Sequence, residues 1–196
     1  MGDMRKKIAH DLGESLGIHS ALIDDQVVHE QLVGLAERCL ESLRSGGKVI
    51  FAGNGGSFAD SQHLAAEFIS RLQFDRAPLA SVALGTNSSS TTAIGNDYGY
   101  EYIFARELQV ISTSKDIFIP ISTSGNSKNI LLAVEVAVSK GLHIVGLTGQ
   151  TGGKLAAQCE CLKVPATRTE RIQEGHILLG HILCGLIEDD FFAPSR

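Results

Sequence analysis

The segment Ser122-Thr123-Ser124-Gly125-Asn126-Ser127 follows an apolar run (Ile117, Phe118, Ile119, Ile121) and precedes an apolar-periodic stretch. A strand that ends in hydroxyl residues therefore turns directly into a helix. Such a turn aims unpaired backbone N–H groups, the positive end of a helix dipole and several O–H donors at one spot, and a phosphate is matched to that many donors. A helix cap alone accounts for one hydroxyl. Ser122, Thr123, Ser124 and Ser127 supply four, around a glycine that permits an otherwise strained turn.

Titratable groups stand on two further stretches. His63 and Glu67 are four residues apart in a helical pattern, so both project from one face about a turn apart. Alone, that pair reads as an ordinary surface ion pair. The C-terminal stretch carries Gln173, His176 and His181 among Ile172, Ile177, Leu178, Leu179, Ile182 and Leu183, a setting in which a histidine is more often a satisfied core residue than a ligand. Together, two histidines, one glutamate and one glutamine could compose a four-ligand site for a borderline metal, and His and Glu are the usual acid/base groups.

The elements that must position these residues alternate along the chain. Leu32, Leu35, Cys39 and Leu43 have helical spacing before Ser45-Gly46-Gly47, which marks residues 1–45 as a helical N-terminal arm. Strands are expected at Val49 to Ala52, Ser81 to Leu84, Ile117 to Ser122, His143 to Thr148 and Cys161 to Val164. Helices are expected from about Ala59, through about Val110, from about Lys128, briefly after Gly153 and from about Glu170. Five successive βα units imply a parallel, doubly wound sheet whose ligands bind at the carboxyl ends of the strands. That edge holds the glycine turn Gly53-Asn54-Gly55-Gly56-Ser57, the hydroxyl turn and Thr148-Gly149, which frame a cleft for a small phosphorylated molecule. Pro120 removes a ladder donor, and a distortion is expected at the C-terminal end of its strand.

Composition narrows the reading. A chain of 196 residues that is 43% hydrophobic fits one α/β domain, taken as 1–196. A net charge of -5 without a basic run argues against nucleic acid or anionic membrane as partner. The apolar stretch His176 to Ile187 is too short to span a bilayer and the N-terminus lacks an apolar signal core, which points to the cytoplasm. Cys39, Cys159, Cys161 and Cys184 match no zinc-ribbon or CxxC spacing and read as packed, reduced thiols. The glycine turn fails as a dinucleotide fingerprint, because Phe58 holds the third glycine position and Thr86 and Asn87 stand where an acid is required. Gly152-Gly153-Lys154 fails as a P-loop, with Thr148 and Leu155 in place of the first glycine and the hydroxyl.

The stretches AGNGGSFADSQHLAAEF, TAIGNDYGYE, STSGNS and RIQEGHILLGH, in this order, closely resemble the bacterial phosphoheptose isomerases of the sugar isomerase (SIS) domain superfamily over nearly the whole chain. The resemblance implies a flavodoxin-like three-layer α/β/α sandwich with a central five-stranded parallel sheet, and a homotetramer. It also implies conversion of sedoheptulose 7-phosphate to D-glycero-D-manno-heptose 7-phosphate, the first step toward nucleotide-activated heptose for lipopolysaccharide or capsule. By position, His63, Glu67, Gln173 and His181 match zinc ligands, one ion per subunit, and Glu67 and His181 also match an acid/base pair. Ser122, Thr123, Ser124 and Ser127 match the phosphate loop, while Asn54, Gly55, Gly56, Ser57, Glu67, Arg71, Asp97 and Gln173 match the remaining substrate contacts, with Glu170 as a neighbour. The alternative is a non-catalytic binding protein of the replication-initiator-associating type, which shares the hydroxyl loop but lacks the acid/base pair that Glu67 and His181 supply here.

Overall fold

From Val49 onward the five segments expected as strands are strands in the computed structural model, which describes residues 2–193. The strands are β1 (Val49–Gly53), β2 (Ser81–Ala83), β3 (Ile117–Ser122), β4 (His143–Gly149) and β5 (Glu160–Val164), all parallel, in the order β2-β1-β3-β4-β5. This is the flavodoxin-like order, and its direction reverses between β1 and β3, so the ligand crevice is expected outside the carboxyl ends of those two strands. The helices are α1 (Gly2–Asp24), α2 (Gln26–Arg44), α3 (Gly56–Ile69), α4 (Ser88–Asp97), α5 (Ile103–Ile111), α6 (Lys128–Ser139) and α7 (Thr169–Phe191), with short 3₁₀ turns at Tyr100–Tyr102 and Leu155–Ala157. α3, α6 and α7 begin within a few residues of the carboxyl ends of β1, β3 and β5, so their amino ends face the crevice.

Alternation along the strands builds the two cores. Val49, Phe51, Ile117, Ile119 and Ile121 pack with residues of α2, α3 and α7 on one face, whereas Ile50, Ala52 and Phe118 pack with Ile103, Phe104, Leu108, Ile130 and Val134 of α5 and α6 on the other. The helical N-terminal arm consists of two helices, α1 and α2. Asp25 breaks it by accepting from the backbone N–H groups of Val27 and Val28 at 3.0 and 3.1 Å as the cap of α2. Leu32, Leu35, Cys39 and Leu43 are buried as their spacing predicts, but Met4, Ile8, Leu12 and Leu16 form an exposed stripe along α1.

Pro120 acts elsewhere than expected. β3 continues through Ser122 and pairs with β1 from Ile117 to Ile121, including Ala52 opposite Pro120. The ladder to β4 lapses at Ile119 and Pro120 and resumes at Ile121 opposite Leu147 in unchanged register, because the missing donor faces β4. The four thiols are free, and Cys39, Cys161 and Cys184 are buried.

A buried ion pair ties the segment after α3 to α7. Glu188 of α7 accepts from the backbone N–H groups of Leu72 and Gln73 at 3.1 and 2.7 Å and from Arg76 Nε at 2.7 Å. The same guanidinium donates to the carbonyls of Glu67 (2.8 Å), Phe68 (2.7 Å), Ser70 (3.2 Å) and Ala77 (3.0 Å), so it closes the C-terminal end of α3. Burial alone would raise the Glu188 carboxyl, but those amides and the guanidinium outweigh it and hold the group below its ordinary value.

His176 of α7 is fully buried, and neither ring nitrogen has a partner among the described residues. Burial pushes its pKa from 6.5 down to about 4. The folded chain therefore holds the ring neutral where the unfolded chain protonates it, so this contribution is complete above pH 6.5 and is lost progressively as pH falls toward about 4. The linked loss is about 3 kcal/mol. Urea unfolding at pH 7 and pH 4.5 is expected to show a smaller acid loss in His176→Leu than in the parent, and an equal loss would assign the acid sensitivity to other groups.

Candidate active site

The hydroxyl turn lies at the carboxyl end of β3, beside the strand-order reversal. Ser127 is the N-cap of α6, yet its hydroxyl makes no capping bond and instead stands 3.2 Å from Ser122 Oγ. The backbone N–H groups of Ser127, Lys128 and Asn129 have no protein acceptor among the described residues, which leaves the donor-rich pole that an anion requires. Ser124 Oγ accepts from the Asn126 N–H at 3.1 Å, and the Thr123 carbonyl accepts from the Gly149 N–H at 3.0 Å. Gly125 has φ +65°, and a Cβ there would lie 2.0 Å from the Gly152 carbonyl oxygen, so only glycine fits. The turn is latched from behind by Leu155 N–H donating to the Gly125 carbonyl at 2.9 Å and Lys154 N–H to Asn126 Oδ1 at 3.1 Å. Ser124→Asp places a carboxylate among these donors and is expected to abolish sugar-phosphate binding while the fold survives. Calorimetry on the folded variant checks this, and unchanged affinity would remove the phosphate assignment.

The glycine turn forms the other wall. Gly55, at φ +56°, is the cap of α3, and a Cβ on Gly56 would lie 2.5 Å from Gln173 Nε2. Absent side chains there let α3 and α7 approach. Ser57 is buried at 3% exposure, its carbonyl accepting from Ser61 Oγ at 2.8 Å, so it is part of the helix packing. Asn54 is paired amide to amide with Asn129 and also meets Tyr100 Oη, two partners that spacing did not single out.

α3 and α7 run side by side in the same direction, with Gln173 at Gly56 and Gly180 against Leu64. Farther along this seam His63 Nε2 stands 2.8 Å from His181 Nε2 and 3.3 Å from Glu67 Oε1, the two rings nearly perpendicular at 84°. One nitrogen of each histidine and one oxygen of Glu67 lie within 4.8 Å of one another, a donor set able to hold a metal ion. The fourth expected ligand does not join them in this chain. Gln173 is eight residues before His181, about 12 Å along the helix axis, and its amide packs at the glycine turn. Histidine His176, the other candidate on α7, is buried in the core.

Of the remaining candidates, Arg71 is exposed just beyond α3, and Asp97 is exposed at the end of α4, where Asn96 Nδ2 donates to it at 2.8 Å. Glu170 is drawn into an ion pair with Arg168, which also clasps Asp11 and Glu14 of α1. Asp60 was not anticipated. It precedes His63 by one helical turn, its Oδ2 is buried without a partner among the described residues, and burial raises its carboxyl pKa against the opposing pull of His63. The sequence signal was the i, i+3 spacing of Asp60 and His63.

The SIS domain family matches residues 18–149. Phosphoheptose isomerase of Aneurinibacillus thermoaerophilus is 48% identical over 190 residues, 96% of this chain and 96% of its own. Phosphoheptose isomerase 2 of Campylobacter jejuni is 45% identical over 196 residues, 100% of this chain and 98% of its own. The structure of phosphoheptose isomerase GmhA from Neisseria gonorrhoeae aligns with a TM-score of 0.88 at 40% identity, covering 95% of this chain and 99% of that one. Identity at this level over the full length, on one sheet order, extends the match beyond the SIS fold alone: the chain belongs to the phosphoheptose isomerase family of SIS-domain proteins.

Proposed function

We propose that the chain is an aldose–ketose isomerase that converts sedoheptulose 7-phosphate to D-glycero-D-manno-heptose 7-phosphate. The observation that carries this reading is the convergence of Glu67, His63 and His181 on helices that open at the same sheet edge as the hydroxyl turn. The relatives bear isomerase names, and the chain has both members of the acid/base pair that a binding protein of this fold would lack, so the binding-protein alternative is not favoured.

In this reading the phosphate sits among the free amides of Ser127, Lys128 and Asn129 and the hydroxyls of Ser122, Thr123, Ser124 and Ser127. Glu67 takes the proton from C1 of the ketose and returns it at C2, through a cis-enediol, while His181 moves the proton between the two oxygens. Asn54, Gly55, Gly56, Ser57, Arg71, Asp97 and Gln173 are assigned to the sugar. His63, Glu67 and His181 suit one zinc ion per subunit, three protein ligands with a position left open, and Gln173 is retained as a contact at the glycine turn. Zinc bound there would polarise the substrate oxygens as a Lewis acid. We take the chain as one SIS unit, 1–196. The exposed stripe of α1, together with Ile23, which lines one apolar groove with Ile182 and Leu186 of α7, supports a homotetramer. No helix among the described residues is long and apolar enough to cross a membrane, and we assign the enzyme to the cytoplasm, supplying heptose for lipopolysaccharide or capsule.

The test is incubation with sedoheptulose 7-phosphate and direct assay of the aldose, with and without chelator. Turnover that falls on chelation and returns with zinc supports the whole reading. Full activity in chelator removes the zinc assignment, and no aldose at all removes the isomerase.

A further inference from the structure

Asn54 leaves β1 beside the strand-order reversal, and Asn129 is the second residue of α6, the helix that the hydroxyl turn opens. Their carboxamides are joined reciprocally: Asn54 Nδ2 donates to Asn129 Oδ1 at 2.9 Å, and Asn129 Nδ2 donates to Asn54 Oδ1 at 2.8 Å. Tyr100 Oη donates to the same Asn54 Oδ1 at 2.9 Å. A carbonyl oxygen has two lone pairs, so Asn54 Oδ1 is saturated. Asn129 Oδ1 is saturated too, by Asn54 and by the Ile130 N–H at 3.0 Å, and Asn129 is only 3% exposed, so its side of the pair is shielded from water. Of the four hydrogen-bonding positions on the Asn54 amide, one N–H remains, beside a small cavity of about 110 Å³ lined by Gly53, Asn54, Gly55, Gly85 and Tyr100, among others.

We propose that Asn129 and Tyr100 are positioning residues that hold Asn54 as a donor-only contact, so that this corner of the site recognises an acceptor oxygen of the sugar phosphate and keeps the sugar contact in register with the phosphate turn. The inference rests on the sugar-phosphate isomerase reading. An amide free to rotate would offer its carbonyl as readily as its N–H. The bracket removes that freedom before substrate arrives, so the N–H is already aimed when the oxygen meets it and the ordering cost of binding is reduced. Because Asn129 lies two residues after Ser127, the amide pair also fixes the spacing between the two walls of the crevice.

The test pairs a partly exposed substitution with a buried one. Tyr100→Phe keeps the ring and removes only the donor to Asn54 Oδ1. It is expected to raise KM for sedoheptulose 7-phosphate about three- to tenfold with kcat changed by less than about twofold, and Asn129→Ala to raise KM by about tenfold or more. The same substitutions made on an Asn54→Ala background are expected to add nothing further to KM, since each acts through the Asn54 amide. A purely structural role would lower the urea midpoint and add its effect on either background. Unchanged KM in Tyr100→Phe, or full additivity with Asn54→Ala, overturns the bracket even if Asn129→Ala fails to fold. The isomerase reading fails separately, by absence of parental turnover; the calorimetric Kd for sedoheptulose 7-phosphate then replaces KM in the same cycle, and a parent that binds no sugar phosphate overturns both.

Discussion

Glu67→Gln is expected to turn over sedoheptulose 7-phosphate about 10²- to 10⁴-fold more slowly than the parent, the range that positioned acid–base catalysis contributes. The change is nearly isosteric. Glu67 lies in the last turn of α3 with its side chain 16% exposed and its own backbone carbonyl anchored by Arg76 Nη2 at 2.8 Å, so the helix end does not depend on the carboxylate. The hydroxyl turn belongs to β3 and α6 and is untouched, which means substrate affinity by calorimetry should stay within a few-fold of the parent. Binding and turnover then separate. Deuterium from solvent at C2 of the aldose reads the same step in the parent, because an enediol exchanges its carbon proton with water and a hydride shift does not. Parental turnover in the variant would remove Glu67 as the carbon base.

Glu188→Gln is expected to be the most destabilising of the single changes considered, at about 3–5 kcal/mol, the cost of leaving a buried charge without its counter-ion. The side chains of Arg76 and Glu188 are 3% and 1% exposed, and Arg76 is committed to four carbonyls, so the guanidinium cannot turn to solvent when the carboxylate is lost. Since the Glu188 carboxyl is held below its ordinary value, its contribution is present above the ordinary carboxylate range and fades as pH falls through the folded value. Urea unfolding at pH 7 measures the effect, and a loss under about 1 kcal/mol would show that the pair is not the lock its geometry describes. Arg76→Met combined with Glu188→Leu should recover part of the loss, because an apolar pair of similar volume leaves no orphaned charge.

The strand–turn–helix around the phosphate turn was legible because its signals are local. The apolar run 117–121, the hydroxyls after it and the periodicity from Lys128 fix β3 and α6 at their observed boundaries. α3 was read three residues late, since Gly55 and Gly56 look like loop. Gly55 is instead a positive-φ cap, and Gly56 is glycine because Gln173 occupies the space of its side chain. That contact is between helices and leaves no trace in local spacing. The same holds for Asn129, which on a helix's first turn resembles any polar surface residue until Asn54 is brought to it by the order of the sheet. The meeting of His63 with His181 depends on α3 and α7 running in one direction, and residue type and the resemblance both group Gln173 with them, whereas eight residues of helix carry it two turns away.

The amino ends of α3, α6 and α7 face the crevice, and the proposed phosphate turn from Ser122 to Ser127 contains neither lysine nor arginine in a chain of net charge -5. Capture of the anion thus falls to peptide dipoles and hydroxyls, groups that carry no net charge and do not ionise in the physiological range. Long-range attraction is weak for such a site, so the association rate should vary little with ionic strength, unlike one steered by a basic patch. The acid limb of affinity would then belong to the ligand, through the second ionisation of its phosphate at a pKa of about 6.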